Sequence, residues 1–330
     1  MTSWLRFLSG CCALVCAAAP VSANDGMLQL SNDVYLLPGS FVPGAQPDGN
    51  SLLLSGDTGW IVFDTGRHAV HARRILAFVD EDLSRVAAIV NSHWHLDHVG
   101  GNALIRERFP NARVYASPGI EHALGSWLAS YRAQLVAMVD DPKTRAAERE
   151  KYRVDIGLID LGERLLPTEP ITRTRNWRIA GRQLRIGLET DAVTEGDLWL
   201  YDRGSRVLAA GDLVTLPVPF FDTACPARWS SALAGLEDMP FVRLVPGHGP
   251  DLTRDEFTRY RHAFDELLAC AASEQTLAQC ADGWIAQTGS FYPETEHTRV
   301  REMLDYYFSQ HLRAEPAQRD RFCTQAPTAG

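Results

Sequence analysis

The segment Asn91-Ser92-His93-Trp94-His95-Leu96-Asp97-His98-Val99-Gly100-Gly101-Asn102 packs three imidazoles and a carboxylate into six residues. It follows Val86 to Val90, a continuous apolar run that reads as a buried strand. In extended backbone, alternate side chains point the same way. His93, His95 and Asp97 are therefore expected to share one direction, with His98 turning into the bend. Imidazole and carboxylate are the donors zinc favours. Burying such groups together is costly without a cation to justify it. Gly100 and Gly101 then open a helix expected from Asn102 to about Phe109.

Working outward, short apolar runs alternate with turn residues. Val34 to Leu37, Ser51 to Leu54 and Trp60 to Phe63 read as strands, separated by turns such as Pro38-Gly39, Pro43-Gly44 and Gly56-Asp57. Asp64-Thr65-Gly66 ends the third of these. His68 to Glu81 has helical periodicity, and Arg113 to Ala116 is a further strand. Residues from about 118 to 165 form a charged, helix-favouring insert, broken at Asp140-Asp141-Pro142. Such an insert forms either a wall over a site or plain packing. Strand patterns resume at Trp177 to Ile179, Leu184 to Leu188, Leu198 to Tyr201 and Val207 to Ala210. Trp229 to Leu236 reads as a helix, and from Arg254 onward the chain is mostly helical.

His93-x-His95-x-Asp97-His98 resembles the signature of the metallo-β-lactamase superfamily. Asp64-Thr65-Gly66, Ala210-Gly211-Asp212 and Pro246-Gly247-His248-Gly249 are similar to that family's other motifs, in its order. The resemblance implies an α/β fold, the αββα sandwich, with metals at one rim. It implies a domain over residues 24–265, the insert at about 118–165, and a helical C-terminal extension over 266–330. It implies His93, His95, Asp97, His98, Asp212 and His248 as ligands of one or two zinc ions. Asp212 would bridge, and Asp97 would orient a zinc-activated water and carry a proton. Asp64 would shape the loop or hold a ligating histidine.

One position departs from the pattern. Where the family carries a ligating histidine, this chain reads Ala192-Val193-Thr194-Glu195-Gly196-Asp197, and valine has no donor atom. Three readings stay open. One complete site does the chemistry alone, a neighbour such as Asp191, Glu189 or His122 substitutes, or the chain only binds. His68 and His71 are expected at the surface. Phe220-Phe221 and Pro217 to Pro219 either line a pocket or belong to the core, and Trp94 is expected to face the sheet packing. The resemblance points to hydrolysis of an ester-like, thioester or amide bond, a β-lactam among them, in a small-molecule substrate. It also extends to periplasmic metallohydrolases of sulfur-oxidation or quinoprotein systems. Iron–dioxygen members rely on the histidine missing here, and flavodiiron members carry a glutamate where this chain has His95.

The 330 residues, 45% hydrophobic and 22% charged, suit a sizeable globular core. A formal charge of -9 and the lack of a long basic run argue against nucleic acid as a partner. Residues 1–23 read as a secretory signal. Arg6 leads an apolar stretch, and Val21-Ser22-Ala23 is a cleavage site, which places the protein in the periplasm or outside the cell. Leu8-Ser9-Gly10-Cys11 also matches a lipobox. No further run approaches membrane-spanning length. Cys225, Cys270, Cys280 and Cys323 remain beyond the leader, and four cysteines in an oxidising compartment suggest two disulfides. Of three connectivities, Cys270–Cys280 with Cys225–Cys323 is expected, because the first pair closes a short helical turn-back. The sequence leaves the oligomeric state open.

Overall fold

The computed structural model describes residues 26–40, 46–80 and 85–323. The expected leader with its cleavage at Ala23, the turn at Pro43-Gly44 and residues 324–330 lie outside these.

Two sheets form the body. The first runs β1 (Leu28–Ser31), β2 (Val34–Leu37), β3 (Ser51–Gly56), β4 (Gly59–Phe63), β5 (Val86–Val90), β6 (Arg113–Ala116) and β7 (Glu169–Pro170), in that spatial order. The second holds β8 (Arg175–Ile179), β9 (Arg182–Glu189), β10 (Asp197–Asp202), β11 (Val207–Thr215), β12 (Arg243–His248) and β13 (Leu252–Thr253), again stacked in order. The period of two decides which sheet face each side chain joins. Leu52, Leu54, Ile61, Phe63 and Val90 of the first sheet meet Leu184, Ile186, Leu198, Leu200 and Val245 of the second, forming the inter-sheet core. Leu53, Val62 and Ile89, one residue out of step, face outward onto α1 (Ala69–Asp80) and α3 (Asn102–Arg108).

The outer face of the second sheet is covered by α7 (Pro226–Glu237), α8 (Arg254–Ala271), α9 (Leu277–Thr288) and α10 (His297–Tyr307), around Trp229, Tyr260, Phe264 and Trp284. The order of layers is therefore helix, sheet, sheet, helix. Helix α8 starts with a reciprocal capping box between Thr253 and Glu256, and α9 with one between Thr276 and Gln279. Helix α8 runs straight through residue 266, where the C-terminal extension was expected to begin.

The insert between β6 and β7 folds as α4 (Gly119–Gly125), α5 (Trp127–Asp140) and α6 (Ala146–Ile159), with the expected break after Asp140. It has its own small core, in which Leu128, Leu135 and Ile159 pack on Trp94, Leu96 and Val99. Among the described residues, no helix is long and apolar enough to cross a membrane. Cys225–Cys323 and Cys270–Cys280 are both bonded, the expected pairing. Two disulfides accord with an extracellular or periplasmic environment.

Candidate metal centre and active-site cavity

Strands β4 and β5, and strands β11 and β12, pair in parallel, so their carboxyl ends collect at one rim. There Asp64 follows β4, the histidine cluster follows β5, Asp212 lies on β11 and His248 closes β12. The extended alternation expected across the cluster stops at Leu96, where a single helical turn, α2 (Leu96–Val99), begins. That corrects the expected orientation. Asp97 and His98 aim from the turn, and His93, His98 and Asp212 form one group while Asp97, His98 and His248 form the other.

The second group has the sharper geometry. Asp97 Oδ2 lies 3.1 Å from His248 Nε2 and 3.7 Å from His98 Nε2. Asp212 Oδ1 lies 3.3 Å from His98 Nε2 and 3.7 Å from His248 Nε2. Tetrahedral coordination at about 2.0–2.1 Å spaces ligand atoms about 3.3–3.4 Å apart, and these four contacts bracket that value. His98 Nε2 and Asp212 Oδ1 are buried without a hydrogen-bond partner, although buried polar atoms almost always have one. Both are aimed into the same small space, which suits a cation.

His93 of the first group, and His95, which joins neither group, are fixed by two hydroxyl relays. Ser92 Oγ donates to Asp64 Oδ2 at 2.7 Å, so it accepts from His93 Nδ1 at 2.9 Å. Thr223 Oγ1 donates to the Val193 carbonyl at 2.9 Å, so it accepts from His95 Nε2 at 3.0 Å. The remaining nitrogens, His93 Nε2 and His95 Nδ1, then each carry a lone pair, and they face each other at 2.8 Å. Two lone pairs at that distance repel unless a cation sits with them. Asp212 Oδ2 is 3.7 Å from His93 Nε2, so one carboxylate reaches toward both groups.

Electrostatics follow burial and neighbours. Burial, with His98 and His95 close by, holds His93 well below its usual range, and burial lowers His95 to about 4. Burial alone would lower His98 too, but Asp212, Asp64 and Asp97 outweigh it and raise it well above. Burial would raise Asp97 and Asp212; for both, the nearby imidazoles win and the carboxyls stay ionised. A metal requires neutral imidazole and ionised carboxylate, the forms that His93, His95, Asp97 and Asp212 already take, whereas His98 would give up a proton to a cation.

Asp64 takes the role expected of it. It is fully buried, with a left-handed φ of 58°, a conformation Asp tolerates better than most residues. Its Oδ2 accepts from His98 Nδ1 at 2.9 Å, and its Oδ1 from the Ser92 amide at 2.7 Å. Close packing leaves the backbone no slack. A Cβ at Gly247 would lie 1.9 Å from Asp212 Oδ1, and one at Gly49 would lie 2.6 Å from the His98 ring.

Val193 is fully buried in the apolar core under the second sheet. Its loop is held by Asp197, which accepts from the Val193 and Thr194 amides at 2.9 and 3.0 Å. The three substitutes considered for it lie in neither group. His122 is exposed and paired with Glu195 at 2.7 Å, and Glu189 accepts from the Trp199 indole at 2.9 Å. Asp191 is buried with a positive φ. His68 pairs with Asp48, while His71 is buried and bonds to Ser51 rather than lying at the surface. Trp94 does not face the sheet. Its ring packs on Trp127 of the insert at 5.3 Å, and its indole donates to Glu195.

A cavity of about 490 Å³ opens over both groups, with His95, Asp97, Asp212 and His248 in its lining. Trp127, Leu128 and Tyr131 of the insert form one wall, and Met303, Tyr306 and Tyr307 of the C-terminal helices another. Pro217, Val218 and Phe220 line it too, whereas Phe221 belongs to the core. Sequence reasoning missed Arg67. Its guanidinium binds Asp155 at 2.6 Å and approaches Asp97 Oδ1 at 3.5 Å, and Tyr131 donates to the other Asp155 oxygen at 2.9 Å. Only its place just after Asp64-Thr65-Gly66 signalled it. Thr223 carried no signal at all.

Residues 46–268, more than half of the chain, match the profile of the family described as the Metallo-beta-lactamase superfamily. Among curated proteins, hydroxyacylglutathione hydrolase 1 of Vibrio vulnificus (strain YJ016) is 33% identical over 70 residues, 20% of this chain and 28% of that protein. The hydroxyacylglutathione hydrolase of Synechococcus sp. (strain JA-2-3B'a(2-13)) is 48% identical over 46 residues, 14% of this chain and 18% of that one. The chain thus matches less than a third of the length of these relatives. Among solved structures, a metallo-beta-lactamase from Pontibacter korlensis superposes with a TM-score of 0.53 at 20% identity, covering 72% of this chain and 98% of that one. The sec-alkylsulfatase Pisa1 from Pseudomonas sp. gives 0.56 at 20% identity, covering 86% and 50%. At such identities these two show the fold alone.

Proposed function

Given that the chain belongs to the metallo-beta-lactamase superfamily, we propose that it is a zinc-dependent hydrolase of an ester-like, thioester or amide bond in a small molecule. One observation carries this reading. Asp97, His98, Asp212 and His248 converge at tetrahedral spacing beneath a cavity of substrate size. Those four residues would hold one ion. His93 and His95, with Asp212 shared, would hold a second without a third imidazole. Bound zinc supplies Lewis acidity and water activated near neutral pH.

The protein's own residues do the rest. Asp64, Ser92 and Thr223 hold the imidazoles with their donor nitrogens inward. Arg67 steadies Asp97, which orients the attacking water. As the acyl carbon gains the water oxygen and loses its heteroatom, Asp97 passes the water proton to the departing group. The short matches to hydroxyacylglutathione hydrolases support the thioester option, and the disulfides support an exported protein. The leader expected over residues 1–23 would direct that export.

The test is metal analysis of the purified chain followed by a panel of a chromogenic β-lactam, a lactone and an acyl-thioester. We expect bound zinc and turnover of at least one substrate, both lost in His248→Ala. Metal-free protein with no turnover would overturn the reading. It would favour a non-catalytic binding protein, for which Val193 in the apolar core is the supporting observation. Val193→His is expected to raise occupancy of the first site toward two zincs per chain.

A further inference from the structure

The cavity's walls differ in chemistry from its floor. Aromatic rings begin at the floor itself, where the His95 ring lies 5.2 Å from Phe220 and 6.5 Å from Trp127. From there the rings continue outward on both sides. Trp127 stacks toward Tyr131 at 5.1 Å, and Phe220 meets Tyr307 edge-on at 6.1 Å. Val218 and Met303 fill in between. Charge is scarce along these walls and already matched. Arg67, the one cation among the described residues lining this cavity, is buried between Asp155 and Asp97. Asp222, at the outer end, accepts from Tyr306 at 2.8 Å and from His311 at 3.0 Å. Among the described residues lining this cavity, a substrate carboxylate would find no unmatched donor of opposite charge, and desolvating it there would cost several kcal/mol.

We infer that the part of the substrate away from the scissile bond is an uncharged, aromatic or branched apolar group, clasped between Trp127–Tyr131 of the insert and Phe220–Tyr307. This rests on the hydrolytic reading for the word substrate, while the pocket assignment stands on the rings and matched charges. Glutathione thioesters, whose distal part carries two carboxylates, are then poor substrates for this chain. The four rings of the clasp come from the insert, from the connection after β11 and from helix α10, so specificity resides largely in elements that carry none of the candidate ligands.

The experiment uses the full zinc-loaded chain and two readouts. In the first, N-phenyl-1-naphthylamine, a neutral fluorophore that brightens in apolar pockets, is titrated into the protein and competed with other ligands. We expect its affinity to fall at least tenfold in Trp127→Ala and in Phe220→Ala, with melting temperatures measured to show that both variants are folded. In the second, p-nitrophenyl phenylacetate is compared with S-lactoylglutathione. We expect at least a tenfold higher kcat/KM for the neutral aromatic ester, shrinking in Trp127→Ala through a higher KM. Probe binding indifferent to both rings, or preference for the glutathione thioester, would overturn the inference while leaving the hydrolase intact. Ring-dependent probe binding with no turnover of any substrate would support the pocket assignment and overturn the hydrolytic reading.

Discussion

At the scale of single residues, the site is a set of imidazoles whose free nitrogens are chosen by their neighbours. Asp64 shows how tightly. Both its oxygens face donors, so an amide in its place would set an N–H against an N–H or O–H whichever way it turned. Asp64→Asn is expected to weaken zinc binding about 10- to 100-fold, read by competition with a chromogenic chelator, with the circular dichroism spectrum unchanged. Asp48 gives a stability prediction. Its carboxyl accepts from the amides of Arg67 and His68 and from His68 Nδ1. Burial opposes ionisation, but these donors prevail and bring it down to about 2. A depressed carboxyl adds stability that is complete above the unfolded value near 4 and is lost as pH falls through 2. Between pH 5 and pH 2, the wild type should therefore lose about 2 kcal/mol more than Asp48→Asn in urea titrations. Equal losses would show that Asp48 is not a source of acid sensitivity.

At the scale of elements, the insert is docked through a buried ion pair as well as through its small core. Asp155 on α6 meets Arg67 from a position 88 residues away in sequence. Removing one partner of such a pair leaves a buried charge uncompensated, typically costing about 3–5 kcal/mol. Asp155→Ala should lower stability by about 3 kcal/mol and speed cleavage in the α5–α6 connection under limited proteolysis. An insert as protease-resistant as the wild type's would show that apolar packing alone holds it. This pair also marks the limit of what could be read beforehand. Strands β5 and β6 match the expected ends residue for residue, because an apolar run between turns is a local signal. The insert was visible as helical and charged, but its choice between wall and plain packing depended on a contact that no local pattern encodes. The candidate ligand residues were legible because they sit in short motifs at strand ends. The family resemblance also implies the grouping of Asp97, His98 and His248, whereas that of His93 with His98 and Asp212, leaving His95 out, was not legible, since it depends on the turn at Leu96. Trp94 was misread for the same reason. The strand's alternation had already ended, and its neighbour came from the insert.

At the scale of the whole molecule, the two disulfides divide the labour. Cys270–Cys280 closes the α8–α9 hairpin, while Cys225–Cys323 spans 98 residues and fastens the tail beside Thr223. Loop-entropy arguments assign a closure of that length about 4–5 kcal/mol. Replacing both Cys225 and Cys323 by Ser should lower the melting temperature by several degrees, whereas the corresponding pair of changes at Cys270 and Cys280 should cost less. The reverse order would mean that the hairpin, not the tail, limits stability. The glycine contacts around the centre reach further. Gly247 and Gly49 have no room for a single added carbon, because the Asp212 carboxylate and the His98 imidazole already occupy it. The walls carry a looser restriction, since Trp127, Tyr131 and Phe220 each turn part of a ring to open space. A lineage under selection for a new substrate could therefore explore the walls freely while its centre stood still. Libraries randomised at Trp127, Tyr131 and Phe220 should yield many folded, metal-retaining variants, and libraries at Gly49 and Gly247 almost none.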